Sequence, residues 1–159
     1  MKKKFLGLVL FVMMALTLTG CGKEENKDLT CKAKINQSGM VIEMTAKGSF
    51  GSKSEKLKDF EMEYFYDYTD LFEKSGVEIT SQLADEMKDS IRTELEKQFK
   101  DKKGIEIKDI TNDGNKFYIT INGDVETFEK EYPADFKNDG EFTYNGFKKE
   151  YEKQGLTCE

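Results

Sequence analysis

The sequence predicts an α+β fold: an antiparallel sheet of about five strands with one long helix and a C-terminal helix packed on it. Three observations predict it. Apolar residues alternate with a period of two in five segments, glycine-containing turn sequences join neighbouring segments, and one long stretch switches to helical spacing.

Leu29, Cys31, Ala33 and Ile35 alternate with Thr30, Lys32, Lys34 and Asn36, the pattern of a half-buried strand with Cys31 on the core face. Gln37-Ser38-Gly39 supplies turn chemistry, and Met40, Ile42, Met44 and Ala46 continue as the partner of a hairpin. A polar loop around Gly51-Ser52-Lys53-Ser54 leads to a third strand. Phe60, Met62, Tyr64, Tyr66 and Tyr68 share one face of it, and Glu61, Glu63 and Asp67 share the other with Phe65. From Thr80 the period changes: Leu83, Met87, Ile91, Leu95 and Phe99 recur every fourth residue with Ala84 beside them, as an amphipathic helix requires. Thr80 or Ser81 is placed to cap its start and Gly104 to end it.

Ile105 and Ile107 begin another alternating stretch, Asn112-Asp113-Gly114-Asn115 is a tight-hairpin sequence, and Phe117, Ile119 and Ile121 complete the partner strand. Val125, Phe128, Tyr132-Pro133 and Phe136 suggest a loop or short helix. Tyr144, Phe147 and Tyr151 stand at helical spacing before Gly155, after which Leu156-Thr157-Cys158 runs extended against the core.

The N-terminus carries a different message. Met1-Lys2-Lys3-Lys4 is a positive segment, and Phe5 through Leu18 is an uncharged run, apolar but for Gly7 and Thr17. It is shorter than the roughly 20 residues a spanning helix needs, and it fits the core of an export signal. It ends in Leu18-Thr19-Gly20-Cys21, which resembles the lipobox of bacterial lipoproteins. That resemblance implies a signal peptide at residues 1–20, cleavage before Cys21, a diacylglycerol on its thiol, and often an acyl chain on the new amine. Residues 21–28 are expected to form a solvated tether, since Gly22 to Asp28 has no apolar residue to bury. Residues 29–159 are then a single α+β domain, long enough for one core.

With Cys21 assigned to lipid, Cys31 and Cys158 remain, an even number in an exported chain. A disulfide between them is the favoured expectation, and two buried free thiols are the alternative. A zinc pair fits poorly, because no histidine is present to complete the shell.

Composition narrows the chemistry. The chain has a net charge of -6, which loss of Lys2, Lys3 and Lys4 makes more acidic still, and its lysines and acids alternate, so nucleic acid is not an expected partner. Arg92 is its single arginine, and bidentate recognition of anions is correspondingly disfavoured. Without histidine the commonest general base and triad member is missing, and no nucleophile motif or phosphate loop occurs. No catalytic residue, metal or cofactor is therefore assigned.

Among 31 acidic residues some close pair is inevitable, so Glu61 and Glu63 read as a solvated strand face. Asn112-Asp113-Gly114 and Asn138-Asp139-Gly140 lack the spaced acids of a calcium loop and read as turns. Tyr64, Tyr66 and Tyr68 are the candidate ligand-binding row, since a phenol ring offers an apolar face with a polar tip. A sheet face covered by a helix would look the same. Phe65, alone among acids on the other face, is the more unusual residue.

The arrangement of lipobox, tether, strands, long helix and final helix also resembles the YehR-like group of small bacterial lipoproteins. That likeness implies a similar α+β fold and transfers no functional residue. The expected function is a non-enzymatic binding or interaction module, held by lipid on Cys21 at the outer face of the cytoplasmic membrane, with an envelope protein or glycan as partner. A carboxylate-dependent hydrolase of envelope polymers is the alternative.

Overall fold

The computed structural model describes residues 25–138 and 140–159. The export signal, Cys21 and Asp139 lie outside the described residues. The rest is an α+β fold built on one six-stranded, wholly antiparallel sheet. Its strands are β1 (Asn26–Gln37), β2 (Met40–Gly51), β3 (Leu57–Asp67), β4 (Ile105–Asp113), β5 (Lys116–Gly123) and β6 (Thr157–Cys158). They lie in the order β4-β5-β3-β2-β1-β6. Four helices are described: α1 (Thr69–Ser75), α2 (Ser81–Phe99), α3 (Val125–Glu131) and α4 (Tyr144–Lys153).

Register places the alternating apolar residues on one face. Leu29 pairs with Gly48, Cys31 with Ala46, Ala33 with Met44 and Ile35 with Ile42. Met62, Tyr64 and Tyr66 pair with Ile121, Ile119 and Phe117. The β1–β2 turn uses Ser38 and Gly39 at φ 54° and 85°, the left-handed pair that matches strand twist in a two-residue hairpin. In β4 a bulge between Ile107 and Asp109 leaves Lys108 unpaired, which keeps Ile107 and Ile110 on the core side.

The core falls into two clusters on that face. Ile110, Ile119 and Ile121 lie under Ile91, Leu95 and Phe99 of α2. Leu29, Cys31, Phe50, Leu57 and Phe60 lie under Phe128 of α3 and Phe147 of α4. Gly123 has no room for a side chain: a Cβ there would stand 2.5 Å from the Phe128 ring and 2.6 Å from the Phe60 ring.

Several sequence expectations change. The sheet has six strands rather than about five, because Thr157–Cys158 pairs with Cys31–Lys32. Asn26, Lys27 and Asp28, expected in the tether, form the first rungs of β1: their backbones join the ladder with β2, Asp28 accepts a 2.6 Å bond from Ser49, and Lys27 lies 3.5 Å over the Tyr144 ring. Gly104 does not end α2. The helix closes at Lys100, and Gly104, at φ 83°, turns the chain into β4. Cys31 and Cys158 form a disulfide, directly opposite each other in the β1–β6 register.

Candidate functional site

Where the two core clusters meet, the helices part. The end of α2 stops short of α3 and α4, and a cleft of about 520 Å³ opens onto the sheet. Met44, Met62 and Tyr64 form its floor, Phe99 and Ile105 line one side, and Phe142, Phe147 and Tyr151 line the other. The walls are rigid for local reasons. Phe128 stacks on Phe142 at 5.0 Å and 4°, Phe147 lies 4.5 Å from Tyr151, and Leu57 N–H donates to the Phe142 carbonyl at 2.9 Å. Thr143 caps α4 by accepting from Gly146 N–H while donating to the Gly140 carbonyl.

Size and lining are those of a small-molecule or peptide-side-chain site, mostly apolar with a few placed polar groups. Two of those groups point inward. The Tyr151 and Tyr64 hydroxyls converge on the Met62 sulfur, at 3.7 Å and 4.0 Å. A thioether is a weak acceptor, so both phenols hold donor capacity that an oxygen-bearing ligand would use better. Burial pushes the Tyr64 phenol up to about 12, helped by neighbouring Tyr66. Burial likewise raises Tyr151, with Tyr64, Glu141 and Glu150 adding to it. Both remain neutral donors at physiological pH. Asp135, Glu141, Glu150, Lys102 and Lys103 stand around the cleft, and Lys103 is engaged by Glu131 at 2.8 Å.

The expected tyrosine row divides. Tyr64 lines the cleft, whereas Tyr66 and Tyr68 stack beyond it, with centroids 6.4 Å and 6.2 Å apart along the row. Tyr68 ends against Phe72 of α1 and Phe117. All three are half-buried on the helix side of the sheet.

The sequence marks Tyr151 only as a helix-face residue; its hydroxyl has no sequence signal, because its position over Met62 depends on how α4 packs on the sheet. Glu61 and Glu63 lie on the open face, where Lys47 bridges them at 3.1 Å and 2.7 Å. Phe65 lies there too, beside Tyr118. Among the described residues no group of three or more potential metal ligands gathers, and no helix is long and apolar enough to cross a membrane. No family model, no curated protein and no solved structure matches this chain.

Proposed function

We propose that the chain is a lipid-anchored envelope lipoprotein whose domain binds an amphipathic, oxygen-bearing ligand without transforming it. The observation that carries the binding reading is the pair of half-buried phenol donors, Tyr64 and Tyr151, with only a thioether between them in a largely apolar cleft. The anchor rests on Leu18-Thr19-Gly20-Cys21 after an uncharged run. Two acyl chains on Cys21 would make attachment effectively permanent, at about 0.8 kcal/mol per buried methylene.

The cleft floor lies part-way along the sheet, Met44 and Tyr64 being in register with Ala33 of β1, and the cleft extends toward the end where β1 starts. The Glu25 carbonyl accepts from Ser52 N–H at the β2–β3 turn, and Ile105, which begins β4, lines the cleft. Four residues span at most about 14 Å, so an anchored Cys21 would hold the start of β1, and with it the domain, close to the lipid surface.

The test places a photocrosslinking side chain at Gln154, on the cleft wall, in the full chain in its native membrane. A discrete adduct that disappears when Tyr64→Phe and Tyr151→Phe are combined is expected. Absence of any adduct, or one indifferent to both phenols, would count against the reading. A second reading, the carboxylate-dependent hydrolase, draws on Asp135, Glu141 and Glu150 lining the same cleft. It requires release of reducing ends from purified cell wall by the wild type and loss of that release in Glu141→Gln or Glu150→Gln.

A further inference from the structure

The sheet face turned away from the helices carries a separate feature. Phe65 stands directly opposite Tyr118 across the β3–β5 pairing, with the rings 5.1 Å apart at 39°. Tyr118 is 45% exposed although β5 is an interior strand. Glu43, Thr45, Glu63 and Thr120 frame the pair around an open depression of about 430 Å³. Each carboxylate is neutralised in place: Lys34 lies 2.7 Å from Glu43 and Lys47 lies 2.7 Å from Glu63.

The chain carries a net charge of -6, yet this frame is balanced, and so presents no strong field to attract a polyanion or a polycation. It does present an apolar platform ringed by fixed hydroxyl and carboxylate acceptors. A pyranose ring has the complementary surface, with C–H groups on its faces for aromatic contact and hydroxyls around its rim. Strand addition by a peptide needs a free sheet edge, whereas β3 and β5 are paired on both sides.

We infer that Phe65 and Tyr118 form a platform for a neutral polysaccharide, a hexopyranose stacking on Tyr118 while its hydroxyls bond Thr120, Glu63 and Glu43. This site is distinct from the cleft and does not depend on it.

The test co-sediments the full chain, in detergent micelles, with insoluble chitin as a neutral β-linked hexopyranose polymer, and competes with its soluble tetramer. The wild type is expected to pellet, to be displaced by the tetramer, and to be unaffected by high salt. Tyr118→Thr keeps a β-branched residue in the strand and is expected to weaken retention about tenfold. Thr120→Val leaves both rings in place and should weaken it severalfold, which covers the case in which the first variant misfolds. Val77→Thr, at an exposed position lining neither surface, should leave retention unchanged. Failure of the wild type to pellet, retention indifferent to Tyr118→Thr and Thr120→Val, or loss of retention in salt would overturn the inference. So would a wild-type dimer that Tyr118→Thr converts to monomer in sedimentation, since the face would then be an interface between copies.

Discussion

At the scale of single residues, Thr143 shows how much one hydroxyl can organise. Its oxygen accepts from Gly146 N–H at 3.2 Å and donates to the Gly140 carbonyl at 2.8 Å, in a residue only 7% exposed. Thr143→Val preserves the shape and leaves the Gly146 N–H without its acceptor, while the Gly140 carbonyl keeps the 3.0 Å bond from the backbone N–H of residue 143. A loss of about 1–2 kcal/mol in urea denaturation is expected, with Thr143→Ser milder, and equal stability of the two variants would show that the cap contributes little. The half-buried phenols set a pH limit. Because Tyr64 is raised from 10 to about 12 in the folded state, the native form holds more protons than the unfolded chain in that interval. Its contribution to stability is complete below pH 10 and is lost as pH rises through 12. Absorbance titration should therefore show some of the seven tyrosines ionising late, and the late fraction should shrink in Tyr64→Phe. Titration of all seven together near pH 10 would contradict this.

At the scale of elements, α4 is pinned by one ring. Phe147 is 2% exposed and meets Phe50 at 5.4 Å and Phe60 at 5.9 Å. Phe147→Ala is expected to cost about 3–5 kcal/mol by thermal unfolding, whereas the same change at exposed Leu71 of α1 should cost far less. The same contrast explains what was legible in the sequence. β1 to β5, α2 and α4 announce themselves because each has an apolar face with the period of its own geometry, punctuated by turns such as Ser38-Gly39. The first short helix, Thr69–Ser75, buries no residue and so has no apolar stripe to read. The final strand is two residues long and exists only through its register with Cys31 and Lys32. The cleft was legible only through Tyr64, because its lining comes from six elements far apart in the chain and no local pattern encodes their meeting. Tyr118 was readable in principle: it alternates with Phe117 and Ile119, which points it outward. Its meeting with Phe65 required knowing that β5 pairs with β3.

At the scale of the whole molecule, the domain has one covalent cross-link, and a second covalent feature, the lipid on Cys21, is proposed. Under the lipoprotein reading, Cys21→Ser is expected to leave an unmodified chain that no longer partitions with membranes, and unchanged partitioning would remove the anchor from consideration. The Cys31–Cys158 bridge spans 127 residues, for which chain-entropy arithmetic gives about 5 kcal/mol of stabilisation. Reduction should lower the melting temperature and release the C-terminal strand, which Thr30 and Glu159 otherwise hold by a reciprocal pair of 2.9 Å backbone bonds. A melting temperature indifferent to reductant would show that the backbone pairing and the packing of Leu156 hold the tail without the bridge. The bridge also has a mechanical consequence. A protein tethered at its N-terminus and gripped elsewhere is loaded through β1, the strand nearest the tether. Peeling from that end can free Asn26 to Thr30, and from Cys31 onward the load divides between β1 and, through the bridge, the last strand of the same sheet. Tension between the two chain ends is carried across the cross-link and bypasses the fold between them, so the cleft and the Phe65–Tyr118 face lie within a loop that an end-to-end pull cannot unravel.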